Sequence, residues 1–240
     1  MQRILITGSN RGIGLDLTRR YLQRGDTLIF ATCRQPAAAH ELNALAEAHP
    51  GQVQIMALDV TDQTAIAECA RQVSAQVDGL DVLINNAGTY AGQVGDADPR
   101  VSRFGSLEME PMLDMLRINT VAPVMVAQAF ADLLRRGQRP RLINVSSDAG
   151  SLTMRSGGAY TYPASKTALN MMTRCLAGDF RAAGVTVIAV HPGFIQTDMG
   201  GPRARFTLDE TIPGLMQVID SVTLADTGQF INWDGSRVGW

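Results

Sequence analysis

Tyr162 and Lys166 are the residues best suited to acid–base chemistry in this 240-residue chain, because they stand four positions apart. Residues at this spacing share one face of a helix. A phenol with a pKa of about 10 is a poor acid–base group at neutral pH, but a nearby ammonium favours the phenolate and lowers that pKa. Lys166 is also the only lysine among 21 basic residues, which favours a role that an arginine would not fill.

A serine pair and an asparagine add polar groups that suit the same chemistry. Ser146 and Ser147 end the predicted strand before this helix, where a hydroxyl can hold a carbonyl oxygen within reach of the phenol. Asn119 lies inside a long predicted helix, and Pro123 has no N–H to donate to the Asn119 carbonyl. A water bound at that carbonyl would relay protons beside the lysine. The alternatives are an ordinary strand-end turn with two helix-surface residues, and a helix that only bends or ends near the proline.

A glycine-rich segment follows the first predicted strand and runs directly into a helix. Its residues are Thr7-Gly8-Ser9-Asn10-Arg11-Gly12-Ile13-Gly14. Glycines permit a tight turn and a close approach to a pyrophosphate, which a helix N-terminus attracts. This position in an alternating α/β chain predicts a dinucleotide site, against the alternative of a plain glycine-rich turn.

Residues at the next two strand ends bear on the adenosine half of such a cofactor. An acid at the end of the second strand favours NAD, whereas an arginine accommodates the 2′-phosphate of NADP. The second predicted strand runs into Arg34 without a carboxylate, and Arg11 lies in the glycine segment. Two cations predict NADP(H) in preference to NAD(H), although either alone also suits a solvated surface. Asp59-Val60 follows the third strand, where Asp59 either accepts from the adenine amino group or caps the helix that begins near Asp62.

Two further runs complete the predicted cofactor site. Asn85-Asn86-Ala87-Gly88 follows the fourth strand, where amides can tie strand ends together and small residues leave room for the cofactor. The Pro192-Gly193 turn brings backbone close to the nicotinamide, with the Ile195 main chain and the Thr197 hydroxyl as ligands for its carboxamide or a phosphate. His191 precedes this turn without an acidic neighbour in sequence, so we expect a packed or surface histidine. The predicted cofactor-binding residues are Gly8, Asn10, Arg11, Gly12, Ile13, Gly14, Arg34, Asp59, Val60, Asn86, Ala87, Gly88, Tyr162, Lys166, Pro192, Gly193, Ile195 and Thr197.

Strands and helices alternate along the whole chain in the pattern needed to position these residues. β-Branched runs predict strands at Arg3–Thr7, Thr27–Thr32, Val53–Leu58, Asp81–Asn85, Arg141–Val145, Val185–Val190 and Gln229–Asn232. Amphipathic stretches predict helices at Gly12–Arg24, Ala37–Ala48, Asp62–Val77, Leu107–Arg136, Tyr162–Ala183 and Leu208–Ser221. The alternation predicts one Rossmann-type domain over residues 1–240, a doubly wound seven-stranded parallel sheet with helices on both faces. Ligands bind beyond the carboxyl ends of such strands.

Composition narrows the class of protein. The 21 basic and 23 acidic residues give a formal net charge of −2, and the basic residues form no stripe, so we expect no nucleic-acid partner. No apolar run approaches the ~18 residues of a membrane span, and the amino terminus predicts no signal peptide. Three widely separated cysteines argue against a disulfide framework and a cysteine-rich zinc site. We expect a cytoplasmic protein with no metal site and no membrane partner.

Five motifs in this order resemble those of the short-chain dehydrogenase/reductase family, over nearly the whole chain. The matching residues are Thr7-Gly8-x-x-x-Gly12-x-Gly14, Asn85-Asn86-Ala87-Gly88, Asn119, Ser147 with Tyr162-x-x-x-Lys166, and Pro192-Gly193. Ser156–Met172 and Trp233–Gly235 resemble the branch that contains C-factor and the sniffer carbonyl reductases.

The resemblance implies a role for each catalytic candidate. Tyr162 is then the acid/base, Ser147 positions the carbonyl, Lys166 lowers the pKa of the tyrosine and binds the ribose, and Asn119 holds a relay water. Ser147 stands fifteen residues before Tyr162, which is longer than the family spacing, so we expect a bulge within Asp148–Ala159. Either member of the serine pair can face the substrate at this spacing, and we choose Ser147.

The expected function is NADPH-dependent reduction of an aldehyde or ketone to an alcohol, with a tyrosine as proton donor. One alternative is a C-factor-type signalling protein that binds the cofactor with little turnover, and another is an epimerase or dehydratase on the same fold. Apolar residues in Leu107–Arg136 and Tyr162–Ala183 exceed one buried stripe, so we expect a homodimer or homotetramer. The substrate is a small molecule that the sequence does not name.

Overall fold

The computed structural model describes residues 1–92, 97–154 and 157–240, and its strands form one parallel seven-stranded sheet. The strands are β1 (Gln2–Thr7), β2 (Thr27–Cys33), β3 (Val53–Ala57), β4 (Val82–Asn85), β5 (Arg141–Val145), β6 (Thr186–His191) and β7 (Phe230–Asn232). Their order is β3-β2-β1-β4-β5-β6-β7, so the chain winds outward from the centre in both directions. The predicted doubly wound Rossmann-type fold is confirmed.

Helices cover both faces of this sheet. Those of the described residues are α1 (Gly12–Leu22), α2 (His40–Ala48), α3 (Gln63–Ser74), α4 (Pro99–Ser102), α5 (Met109–Leu116), α6 (Ala122–Ala129), α7 (Ala131–Arg135), α8 (Thr161–Arg181) and α9 (Leu208–Ser221). α1, α2 and α9 enclose one apolar core with the sheet, and α3, α6, α7 and α8 enclose the other. Among the described residues, no helix combines the length and apolarity that crossing a membrane requires.

The strands have apolar residues on both faces because both faces are covered. In β1, Ile4 and Ile6 point into one core and Leu5 into the other, and none of the three has exposed surface. Alternate side chains of a strand point to opposite faces, so continuous apolar runs are the signature of a strand buried on both sides. This burial makes the sheet a rigid platform for the loops at its carboxyl edge.

The prediction of one continuous helix over Leu107–Arg136 was wrong. The structure divides the stretch into α5, a π-helical turn over Arg117–Val121, α6 and α7. Pro123 cannot donate the backbone hydrogen bond that an α-helix needs there, and the N–H of Ala122 instead reaches back five residues to the Arg117 carbonyl. A single π-turn of this kind often marks a functional site.

Smaller differences also have local causes. Pro36–Ala38 forms a separate 3-10 turn and α2 begins at His40, so the predicted helix Ala37–Ala48 started too early. The short α4 was not predicted, although Asp98 caps it by accepting from the N–H of Arg100. The expected bulge within Asp148–Ala159 and the motif Ser156–Met172 reach residues 155–156, which lie outside the described ranges.

Candidate active site

The glycine segment forms a tight turn between β1 and α1. Gly8 and Gly12 have φ angles of +70° and +55°, in the left-handed region that favours glycine. A Cβ at Gly14 would run into the Gly8 carbonyl and the Asn86 side chain, so only glycine lets α1 come this close to the strand ends. The turn is therefore a cradle lined by backbone.

The N-terminus of α1 opens into this cradle. Arg11 stands at the N-cap without capping a backbone N–H through its side chain, and the first turn carries no acidic residue. Free N–H groups and the helix dipole favour an anion at such a position. Ile13 packs against the core, while Asn10 is exposed. The cradle thus fits the pyrophosphate of a dinucleotide.

Hydrogen bonds join the carboxyl ends of β1 and β4. Thr7 Oγ1 accepts from the backbone N–H groups of Asn86 and Ala87, each at 3.0 Å. Asn86 Nδ2 donates in turn to the carbonyls of Thr7 at 2.9 Å and Gly8 at 3.0 Å. The two loops that would border a cofactor are thereby held in one rigid unit.

Beyond β2 and β3 lie the residues that the sequence assigns to the adenosine half of a cofactor. Arg34 is exposed there. Asp59 Oδ1 accepts from the Thr61 hydroxyl at 2.7 Å and the Thr61 N–H at 2.9 Å, and these bonds, helped by the charge of Arg34, lower the pKa of Asp59. The cap of α3 is Asp62, so capping is excluded as the role of Asp59. Val60 packs against the second core.

Arg11 makes a contact that its place in the sequence did not suggest. Its Nη1 donates to Asp198 Oδ2 at 2.9 Å, with 67% and 71% of the two side chains exposed. Asp198 belongs to the segment after β6, so the pair joins the glycine turn to that segment, and these two segments are the walls of the proposed cofactor cleft. An exposed pair of this kind contributes little to stability, which leaves Arg11 able to change partner.

Tyr162 and Lys166 lie on one face of α8, and the structure brings them close to β5. Lys166 Nζ is 5.8 Å from the centroid of the Tyr162 ring and donates to the Val145 carbonyl at 2.9 Å. Lys166 is only 5% exposed, and burial lowers its pKa to about 8. The lysine is a buried group beside the phenol rather than a surface charge.

The pKa of Tyr162 departs from the sequence-based expectation. Burial raises it to about 12, a hydrogen bond with Ser147 opposes the rise, and the negative charge of Asp148 adds to it. The expected lowering by Lys166 is therefore not met in this structure, because removing the phenolate from water is the larger effect. The phenol stays protonated throughout the neutral range.

The two serines point in different directions. Ser146 is buried, and its hydroxyl donates to Asn170 Oδ1 on α8 at 2.6 Å. Ser147 Oγ accepts from the N–H of Ala149 and donates to Asp148 Oδ1, each at 3.2 Å, and it is the serine close enough to Tyr162 to affect the pKa of the phenol. The structure thus places Ser147, and not Ser146, beside the phenol.

Asn119 lies in the π-turn and holds the segment that follows β4. Its Oδ1 accepts from the N–H of Thr89 at 2.8 Å, and its Nδ2 donates to the Thr89 carbonyl at 2.9 Å and to Ser165 Oγ at 3.0 Å. A Cβ at Gly88 would lie 3.3 Å from Asn119 Oδ1 and 3.7 Å from Lys166 Nζ. Gly88 therefore lies directly against the side chains of Asn119 and Lys166.

The turn after β6 forms the other wall. Pro192 is buried, and Gly193, with a φ of +97°, lies against Trp233. Ile195 is buried and pairs with Phe206 in an isolated parallel bridge. The Thr197 methyl would be 3.6 Å from a Cβ at Gly12, which brings this wall against the glycine turn.

The structure shows two contacts at this site that the sequence did not predict. Tyr90 packs edge-on against Tyr162, with ring centroids 4.8 Å apart. His191 does have an acidic partner, because β5 and β6 are neighbours: its Nδ1 accepts from the N–H of Asp148 at 3.2 Å, and its Nε2 lies 3.8 Å from the Asp148 carboxylate. Tyr90 stands two residues after Gly88 and His191 directly precedes Pro192, and this closeness to predicted motifs is the only signal that the sequence carried.

A phosphate cradle at the centre of a doubly wound sheet, with a phenol and an ammonium one loop away, defines an oxidoreductase that uses a nicotinamide dinucleotide. Residues 2–206 match the family model for short chain dehydrogenases, and the chain belongs to the short-chain dehydrogenase/reductase family. It is therefore an NAD(P)-dependent dehydrogenase or reductase.

Individual relatives support the same assignment. The NADPH-bound carbonyl reductase from chicken fatty liver superposes with a TM-score of 0.91 at 35% identity, covering 100% of this chain and 99% of that one. The carbonyl reductase Sniffer of D. melanogaster gives 0.91 at 33% identity, with 100% of both chains covered. C-signal of Myxococcus xanthus is 36% identical over 162 residues, which are 67% of this chain and 93% of that protein. The predicted resemblance to the C-factor and sniffer branch is confirmed.

Proposed function

We propose that this protein reduces aldehydes or ketones to alcohols with NADPH as the hydride donor. The observation that carries the proposal is the position of Lys166, whose Nζ lies 5.8 Å from the centroid of the Tyr162 ring and donates to the Val145 carbonyl, two residues before Ser147. A carbonyl oxygen that accepts from Ser147 would lie near the Tyr162 phenol, which is protonated at neutral pH and is the group placed to donate the proton. Similarity to the two carbonyl reductases supports this reaction class.

Each residue of the cluster then has one task. Ser147 donates to the carbonyl oxygen and orients it, and Tyr162 transfers its phenolic proton to that oxygen as the alcohol forms. NADPH supplies the hydride to the carbonyl carbon when bound. Lys166, charged below a pKa of about 8, binds the ribose and stabilises the tyrosinate that remains. Asn119 holds the relay water through which the phenol regains its proton.

NADPH is the preferred cofactor in this proposal. Gly8, Gly12 and Gly14 form the pyrophosphate cradle, while Arg34 faces the adenosine end without a carboxylate at the end of β2. A guanidinium donates charge-assisted hydrogen bonds to a 2′-phosphate. NADPH in the chicken enzyme is consistent with the same choice here.

The proposal also includes the domain organisation, the location and the assembly of the protein. Residues 1–240 form a single dinucleotide-binding domain that includes the catalytic site, since one sheet extends from Gln2 to Asn232. The location is cytoplasmic, where reducing conditions suit the free thiols of Cys33, Cys69 and Cys175. Two or four copies assemble through α5 and α8.

Consumption of NADPH, followed at 340 nm with a panel of aldehydes and ketones, tests the proposed reaction. We expect turnover with NADPH to exceed turnover with NADH, and Tyr162→Phe to abolish it. Cofactor binding without turnover of any carbonyl would instead favour a signalling protein, which the similarity to C-signal makes the second candidate. Product formation without net NADPH oxidation would indicate an epimerase or dehydratase.

A further inference from the structure

Asp148 places a carboxylate directly beside the position at which the proposed function binds a carbonyl. Ser147 Oγ donates to Asp148 Oδ1 at 3.2 Å. A carbonyl oxygen that accepts from the same hydroxyl at about 2.8 Å lies no more than about 6 Å from that carboxylate oxygen. The charge also reaches the phenol, since Asp148 contributes to the raised pKa of Tyr162.

Among the described residues, no cation close to Asp148 neutralises the charge of its carboxylate. Its side chain is 48% exposed, and His191 Nε2 lies 3.8 Å from Oδ2. His191 is neutral, because its Nδ1 accepts from the Asp148 N–H and burial lowers its pKa. Within residues 1–92, 97–154 and 157–240, no lysine or arginine nitrogen comes within 4.0 Å of the carboxylate. Lys166 Nζ is directed to the Val145 carbonyl instead.

We propose that Asp148 determines substrate specificity by selecting aldehydes or ketones that carry a cation or a hydrogen-bond donor close to the carbonyl. This inference rests on the proposed function. Negative charge develops on the carbonyl oxygen during reduction, and a carboxylate within about 6 Å opposes it. A positive group on the substrate offsets that repulsion and gives Asp148 a partner. A carboxylate on the substrate adds to the repulsion.

Three benzaldehydes with matched shapes measure this selection. 4-(Trimethylammonio)benzaldehyde is the cation, 4-nitrobenzaldehyde is a neutral aldehyde of similar electron withdrawal, and 4-carboxybenzaldehyde is the anion. The ratio of kcat/KM for the cation to that for the neutral aldehyde is compared between the wild type and Asp148→Asn. Comparing the same substrates in both proteins cancels their intrinsic reactivities.

We expect the cation-to-neutral ratio to fall at least about fivefold in Asp148→Asn, and the anion to gain by a similar factor. Added salt should reduce the wild-type preference, because it screens charges at a partly exposed site. Asp148→Glu should retain the preference. Asp132→Asn removes the same charge from the surface of α7, where the carboxylate contacts Arg135, and should leave both ratios unchanged.

A binding measurement tests the role of Asp148 independently of the proposed reaction. Calorimetry with 4-(trimethylammonio)benzyl alcohol should show weaker binding to Asp148→Asn than to the wild type, whether or not turnover occurs. Equal binding of this cation, or equal kcat/KM ratios in the two folded proteins, overturns the assignment of Asp148. Failure of the wild type to turn over any neutral carbonyl contradicts the proposed function instead, and the binding comparison still decides the role of Asp148.

Discussion

The ammonium of Lys166 lies 5.8 Å from the centroid of the Tyr162 ring and donates its hydrogen bond to the Val145 carbonyl. Burial acts on the two groups in opposite directions, raising the pKa of the phenol to about 12 and lowering that of the ammonium to about 8. The phenol of Tyr162 is therefore protonated at neutral pH, whereas the ammonium of Lys166 loses its proton near pH 8.

Tyr162→Phe should abolish proton donation while keeping the ring that packs against Tyr90. We expect kcat for carbonyl reduction to fall at least a hundredfold, about 2.7 kcal/mol of transition-state stabilisation. NADPH binding, measured by fluorescence titration, should change less than threefold. A variant that retains wild-type kcat would show that another group supplies the proton.

Lys166→Arg tests why the chain has a single lysine. The guanidinium keeps the charge, but it is longer and planar and cannot occupy the compact site beneath the phenol. We expect kcat to fall at least tenfold, about 1.4 kcal/mol. Arg135→Lys is the control, because it makes the reverse exchange at an exposed ion pair with Asp132. It should leave kcat unchanged. Wild-type kcat in Lys166→Arg would show that Lys166 has no role that an arginine cannot fill.

The pH profile should report the lysine. Its lowered pKa means that it is charged below about pH 8 and loses the proton as pH rises through that value. Since kcat/KM reports groups of the free enzyme, kcat/KM for NADPH should stay level below about pH 8 and fall above it. The phenol, with its pKa of about 12, adds no second limb in this range. Lys166→Arg should remove the fall, because a guanidinium stays charged; a wild-type profile that is flat well above pH 8 would contradict the assignment.

Arg34→Ala should alter cofactor choice. Charge-assisted hydrogen bonds to a phosphate contribute roughly 1.5–3 kcal/mol, so KM for NADPH should rise about tenfold or more while KM for NADH changes little. Arg11→Ala should act more weakly, because its guanidinium already pairs with Asp198. Steady-state kinetics with both cofactors decides, and equal effects of Arg34→Ala on the two would exclude recognition of the 2′-phosphate.

Assembly should depend on the apolar surface of α5 and α8. Met109 and Met171 are 74% and 61% exposed, and a contiguous patch of exposed apolar side chains is typical of an interface. Sedimentation of the wild type at micromolar concentration should show a dimer or tetramer, and Met171→Glu should shift it toward monomer. Leu224→Glu, at an exposed apolar residue of the 3-10 turn Leu224–Asp226, outside α5 and α8, should not. A monomeric wild type would contradict the expectation.

The features that the sequence predicted correctly depend on interactions between residues close together in the chain. Apolar strand runs, glycine turns and amphipathic helices are set by neighbours in the chain, and α9 has the predicted bounds Leu208–Ser221. The four-residue spacing of Tyr162 and Lys166 likewise places both on one face of any helix. The single helix predicted over Leu107–Arg136 instead contains a π-turn just before Pro123, whose missing N–H permits it, and is interrupted again at Phe130.

Contacts between distant segments were decided only by the tertiary structure. The sequence by itself determined the fold class, the cofactor cradle and the identity of the catalytic candidates. The pairing of β5 with β6 put His191 beside Asp148, and the packing of the segment after β6 put Asp198 beside Arg11, although 43 and 187 residues separate these pairs. Burial, which depends on the packed whole, raised rather than lowered the pKa of Tyr162, because solvation is a property of the folded surroundings and not of residue spacing.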